Sequence, residues 1–276
     1  PAFQYSAPFD SSMLTRFRQR ITPEMLDWVN DRIIGRDDSD RDPPNGGGSG
    51  DVDTPESNAQ NEGTLILDAT CAPQNIRFPT DASLLNEARE NAEEIIDILH
   101  AEGLTDGKKP RTYREKAKKQ YNSFSKNRKK TKKLIRKTVR RQLGYLRRDL
   151  EAIRKIEDHY PGCLEAVLPK RKLERLHVLR LLYAQQMEMF QNNTHRVDDR
   201  IVSLSQPWVR PIVRGKQNAD VEFGAKVEMS VVDGYLRVED MRWDAFNEGT
   251  TLQASTESYR AAYGHYPKRI LADTIF

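Results

Sequence analysis

The chain's 276 residues suffice for one large domain or two modest ones, and no stretch approaches the roughly 18–20 consecutive apolar residues of a membrane span. A composition that is 37% hydrophobic and 31% charged suits long solvated helices, and the start, Pro1-Ala2-Phe3-Gln4-Tyr5, lacks the basic-then-apolar pattern of a signal peptide. The net charge of +4 conceals a division: residues 108–148 hold 19 Lys/Arg against the single acid Glu115, so these 41 residues carry +18 and the remainder −14. Charge that one-sided repels itself unless a polyanion neutralises it. Cys71 and Cys163 form no CxxC pair and read as free thiols, and the five histidines show no zinc-ligand spacing, which excludes a zinc site.

Residues 1–35 predict a small N-terminal helical domain. Asp10, Ser11 or Ser12 caps a first helix with Met13, Leu14 and Phe17 on one face. Thr22-Pro23 opens a second, with Met25, Leu26, Val29, Ile33 and Ile34 inward and Gly35 as its stop. Residues 36–63, with four aspartates from Asp37 to Asp42, Pro43-Pro44 and the run Gly46–Gly50, form an acidic flexible linker.

In Thr64-Leu65-Ile66-Leu67-Asp68-Ala69-Thr70, three apolar residues run into an aspartate, a segment too short for a helix and β-rich enough for a strand. An aspartate there is unfavourable unless something pairs with its charge. The same grammar returns in Arg269–Phe276, where Ile270-Leu271-Ala272 leads into Asp273, 205 positions after Asp68. Either both aspartates merely open turns at strand ends, or the two strands lie side by side and present both carboxylates to a metal ion.

Between them, Thr80 or Asp81 caps a helix to about His100, with Leu84, Leu85, Ala88, Ala92, Ile95, Ile96 and Leu99 inward. The basic block follows, and its second half carries a stripe of Ile135, Val139, Leu143, Leu146, Leu150 and Ile153 at near-heptad spacing. After breaks at Pro161-Gly162 and Pro169, Leu173, Leu176, Tyr183, Met187 and Phe190 repeat the rhythm. The expectation is a helical hairpin whose first arm runs ~40 residues, ~60 Å. Lys133, Arg136, Lys137, Arg140, Arg141, Arg147 and Arg148 face away from its seam, a nearly pure positive surface suited to a nucleic-acid backbone, with Tyr113, Tyr121 and Phe124 as stacking or packing rings. From Ile201 the texture is β: short extended pieces at 201–204 and 210–213, then a hairpin of Gly224–Val232 and Tyr235–Trp243 about Asp233-Gly234. A helix at Ser255–Tyr263 and a strand at Ile270–Phe276 complete it. The chain lacks an initial Met and stops inside this last strand, so it reads as part of a longer protein.

Acids on the first and last strands, a helical insertion and a hairpin follow the plan of the ribonuclease H-like nucleases. More closely, Leu65–Thr70 (LILDAT), Arg210–Lys216 (RPIVRGK), Glu222–Lys226 (EFGAK), Tyr266–Phe276 (YPKRILADTIF) and Pro8–Ile21 resemble bacterial DDE-type insertion-sequence transposases of the insertion-sequence-five class. The resemblance implies an α/β fold, a ribonuclease H-like mixed sheet with a long α-helical insertion and a small N-terminal helical domain. The catalytic domain would comprise residues 64–81 and 198–276, and the insertion residues 82–197. It implies Asp68 and Asp273 as catalytic metal ligands for two Mg2+ or Mn2+ ions, a third acid beyond Phe276, and Arg214, Lys216 and Lys226 as contacts to DNA beside Arg136, Lys137, Arg140 and Arg141. It further implies double-stranded DNA, both element ends and target, as partner, a homodimer or higher assembly on DNA, and a bacterial cytoplasmic, nucleoid-associated location. A catalytically inactive DNA-binding remnant is the alternative. A structural RNA-binding protein would explain the basic block but leave both strand aspartates unexplained.

Overall fold

The structure, a computed structural model, describes Met25, Trp28, Val29, Arg32 and residues 60–273 except 217–218, with backbone alone for 214–216 and 219–220. Those four early residues are helical, and the Arg32 guanidinium lies 5.2 Å from the Trp28 ring centre. The rest of the expected N-terminal domain, and the linker as far as residue 59, lie outside the described residues.

The fold is mixed α/β with a five-stranded sheet in the order β2-β3-β1-β5, β4 pairing with β3. The strands are β1 (Thr64–Pro73), β2 (Arg210–Lys216), β3 (Ala219–Val232), β4 (Tyr235–Arg242) and β5 (Arg269–Leu271). The helices are α1 (Asp81–Ala101), α2 (Arg114–Lys126), α3 (Lys132–His159), α4 (Cys163–Val167), α5 (Lys170–Gln191) and α6 (Leu252–Tyr263). No described helix is long and apolar enough to cross a membrane. The described part of the chain divides into two compact units, with β1 and β3 each passing through both.

The first unit holds β1 up to Thr70, β3 from Lys226, β4, α6 and β5. Its β1 alternates cleanly: Leu65, Leu67 and Ala69 are buried while Ile66 and Asp68 are exposed, the period of two that a half-covered strand requires. Leu65 and Leu67 pack with Val232 and Tyr259, and Leu252 and Tyr263 close over them. The β3–β4 hairpin turns at Asp233-Gly234, both with positive φ (51° and 85°), the pattern that matches the twist of paired strands. Helix α6 stops at Gly264 in the left-handed region (φ 76°), where a glycine bears no Cβ penalty.

The second unit is dominated by helices. Thr80 caps α1 through Ser83 in a reciprocal pair of hydrogen bonds. Leu85, Ala88, Ala92, Ile95, Ile96 and Leu99 of α1 share one core with Val139, Leu143, Leu146 and Ile153 of α3 and with Leu176, Leu179 and Leu182 of α5. The hairpin expected from the sequence is thus a bundle in which α1 supplies a full face. The anticipated ~40-residue arm is instead two helices, and α3 alone runs 28 residues, about 42 Å. The break at 127–131 has a local cause. The Asn127 carboxamide oxygen accepts from the Lys129 amide at 3.1 Å, and Thr131 Oγ1 accepts from the Leu134 amide at 3.3 Å, capping α3. Short polar side chains here offer the backbone partners that continuing the helix would not.

Residues 201–204 form no strand, contrary to their texture. Ile201, Val202 and Leu204 are buried, but the Ile201 amide donates to Gln185 Oε1 and the Gln206 amide to Ser203 Oγ, so side chains rather than a neighbouring strand satisfy the backbone. Gly224 marks a close approach of β3 to β1 within this unit. A Cβ there would lie 2.1 Å from the Ala72 carbonyl oxygen and 2.9 Å from Pro73 Cα. Backbone cannot yield as a flexible side chain can, so Gly224→Ala is expected to destabilise the protein by about 2–3 kcal/mol in urea unfolding.

Candidate functional site

In the first unit, β1 and β5 run parallel with Thr64 opposite Arg269, Leu65 opposite Ile270 and Ile66 opposite Leu271. Each pair differs by the same 205 positions that separate Asp68 from Asp273. Asp68 and Asp273 keep that offset two residues beyond the last observed pair, where β5 has already ended; strands paired in this way lie about 4.8 Å apart. Asp68 shares its exposed β1 face with Ile66, 42% accessible, and Asp273 is exposed just past Leu271, 52% accessible. β5 itself is shorter than expected, three residues, with Ala272 and Asp273 outside regular structure. The two aspartates each carry hard oxygen donors, the ligand type magnesium and manganese take. Among the described residues no group of three or more His, Cys, Asp or Glu side chains is placed to hold a metal ion.

The basic residues of β2 and β3 separate. Arg214 and Lys216 lie on β2, whose pairing with β3 shifts register between Val213 and Lys216, and their side chains are outside the described residues. Lys226 is turned inward. Its ammonium pairs with Glu248 Oε1 at 2.7 Å, donates to the Phe246 carbonyl at 2.8 Å and lies 4.7 Å from the Phe246 ring centre. The DNA contact that the resemblance implies at Lys226 therefore falls on a side chain already ion-paired with Glu248.

The second unit carries the basic surface. On α3, Lys133, Arg136, Lys137, Arg140, Arg141, Arg147 and Arg148 are all exposed, while Val139, Leu143, Leu146 and Ile153 are buried on the opposite side. At ~100° per residue the seven cations fall within one face. Arg136 is partly committed: it donates to Asn193 Oδ1 at 2.9 Å and stacks 4.3 Å from the Phe190 ring centre. The aromatic rings serve packing. Tyr121 and Phe124 lie against the helical core. Tyr113 sits 6.5 Å from Tyr145 and between the guanidiniums of Arg111 and Arg148.

Beneath that surface lies a polar network the sequence reading missed. Arg89, 1% exposed, binds Glu93 and donates to Asn86 Oδ1 at 3.0 Å. Arg114 reaches Asp97 at 2.7 Å, and Asp149, 1% exposed, has an oxygen without a hydrogen-bond partner. The available signal was phase: Asp149 follows Leu146 by three residues and so falls in the buried arc of α3. Burial, then the nearby Glu93 carboxylate, pushes the Asp149 carboxyl up to about 8, against the opposing pull of Arg89, Arg148 and Arg114. Burial likewise raises Glu93, offset by Arg89. Because Asp149 binds its proton more tightly folded than unfolded, the stability it contributes is fully present below about pH 4 and is lost as pH rises towards about 8. Asp149→Asn is expected to flatten that decline and raise stability at pH 8.5 by on the order of 2 kcal/mol, read as Tm against pH.

Comparison of the chain with protein-family models, curated proteins and solved structures finds no match.

Proposed function

We propose that the chain is a DDE-type insertion-sequence transposase whose ribonuclease H-like catalytic sheet is interrupted by a helical DNA-binding insertion. One observation supports this reading: β1 and β5 pair in parallel at a constant offset of 205 up to Ile66 and Leu271, the same offset that separates the exposed Asp68 and Asp273 two residues further on. The strand path β4-β3-β1-β5, with a hairpin feeding the aspartate-bearing strand, accords with the same plan. Asp68 and Asp273 would hold magnesium or manganese ions together with a third acid supplied beyond Phe276. When bound, such ions stabilise the attacking and leaving oxygens of an in-line displacement at phosphorus.

The protein's own part is to position DNA. Lys137, Arg140 and Arg141, exposed on α3, engage phosphates without reading sequence, and Arg214 and Lys216 add contacts on β2. Lys226 contributes less, because its ammonium is already paired with Glu248 and hydrogen-bonded to the Phe246 carbonyl. Holding two element ends together calls for at least a dimer on DNA, in the nucleoid of a bacterial cytoplasm. The test is magnesium-dependent cleavage of duplexes carrying the element's terminal repeats by the full-length protein. Cleavage lost on removing either aspartate, with binding kept, supports the reading. Tight, specific binding with no cleavage by the wild-type protein replaces it with a DNA-binding remnant.

A further inference from the structure

Helix α3 contains one glycine, Gly144, near the middle of its 28 residues. In a helix interior glycine is the least favourable residue after proline, so its presence there calls for a reason. Three structural reasons fail. Its φ is not in the left-handed region, so its backbone conformation does not require glycine. Nothing lies within 4 Å of where a Cβ would stand, so no neighbour packs against the bare backbone. The helix continues well past it on both sides, so it caps nothing.

Its position supplies the reason. Leu146, Ile153 and Gln142 are buried, and at ~100° per residue they point within about 20° of directly opposite Gly144. The glycine, itself half-buried, is therefore at the midline of the face that carries the exposed basic residues. Arg140 and Arg141 lie four and three residues before it, Arg147 and Arg148 three and four after, which on a helix places all four around it. All four are exposed. The Arg148 guanidinium is steadied over the rings of Tyr113 and Tyr145, at 5.1 and 5.0 Å from their centres. Among the described residues no carboxylate pairs with Arg140, Arg141 or Arg147. A gap in the helix surface framed by four guanidiniums is a seat for a phosphodiester group.

We infer that Gly144 is the point at which a sugar–phosphate backbone approaches α3 most closely, one phosphate resting over the glycine among Arg140, Arg141, Arg147 and Arg148. This rests on the DNA-binding reading above and adds to it a definite docking point. The ligand is duplex DNA, because the exposed carboxylate pair in the same protein is suited to metal-dependent phosphoryl chemistry on it; an RNA duplex is the competing occupant.

Gly144→Ala and Gly144→Leu in the full-length protein test it, with affinity for a terminal-repeat DNA duplex and for an RNA hairpin of equal length measured alongside thermal unfolding. Both variants replace a helix-weakening residue in open space, so Tm is expected to stay level or rise, which separates binding effects from misfolding. The expected result is a Kd for DNA about threefold higher for Ala and tenfold or more higher for Leu. The salt slope should fall by about one in the Leu variant, the loss of a single phosphate contact. DNA binding by both variants equal to wild type overturns the inference while leaving the DNA-binding reading intact. Failure of the wild-type protein to bind DNA overturns both. A loss confined to the RNA hairpin overturns the choice of DNA.

Discussion

Asp68→Asn and Asp273→Asn, made singly in the full-length protein, are each expected to lower magnesium-dependent strand cleavage by at least about a thousandfold, some 4 kcal/mol of transition-state stabilisation, and to leave DNA affinity within about twofold. The asymmetry follows from where the residues sit. Both are exposed, Asp68 within β1 and Asp273 two residues past β5, and neither belongs to the core formed by Leu65, Leu67, Val232 and Tyr259. Neutralising them therefore removes a hard oxygen donor without opening a cavity or disturbing the register. Asn keeps the shape but is a poor ligand for magnesium, which takes carboxylates and water. Unchanged cleavage in either variant removes that residue from the metal site. Loss in one only would mean that the register, which ends in regular pairing at Ile66 and Leu271, does not carry on to the aspartates.

The second large effect concerns α3. Replacing Arg136, Lys137, Arg140 and Arg141 together with Ala is expected to weaken DNA binding by about a hundredfold at 0.15 M salt and to reduce the slope of log K against log salt by about 3, since each neutralised phosphate contributes ~0.9. The triple variant retaining Arg136 should account for most of it. Arg136 is hydrogen-bonded to Asn193 and stacked on Phe190, so its removal also loosens the contact between α3 and the end of α5. An unchanged salt slope in the triple variant would make this face a site for a protein partner. The buried arc of α3 is on its other side, so neither variant should unfold the bundle.

Local sequence was a good guide wherever local physics decides. The Thr80 cap, the inward face of α1, the alternation in β1, the Asp233-Gly234 hairpin and the Gly264 stop all depend on residues within a turn or two of one another, and all appear where the sequence puts them. The separation of Asp68 from Asp273 was also visible as a bare number, but its meaning was not. Only the pairing of β1 with β5 shows the same number as a strand register.

What the sequence misjudged depends on partners distant in the chain. Residues 201–204 have strand texture, yet Gln185 and Ser203 take up backbone groups there and the apolar side chains enter the helical core. Arg89, Glu93, Arg114 and Asp149 come from three helices, and no single helical period announces their network.

The sequence by itself therefore determined most of the element types, the charge division that isolates a +18 block, and the two aspartates as exceptions in apolar stretches. The tertiary structure decided which residues meet. It paired β1 with β5 at the offset that separates the two aspartates, joined Lys226 to Glu248 in an ion pair, and turned the expected helical hairpin into a bundle with α1 in its core. The physical reason is range. Propensity, capping and amphipathic phase act over a few residues, whereas strand register and ion pairing are settled only when the folded chain brings remote segments within ångströms of each other.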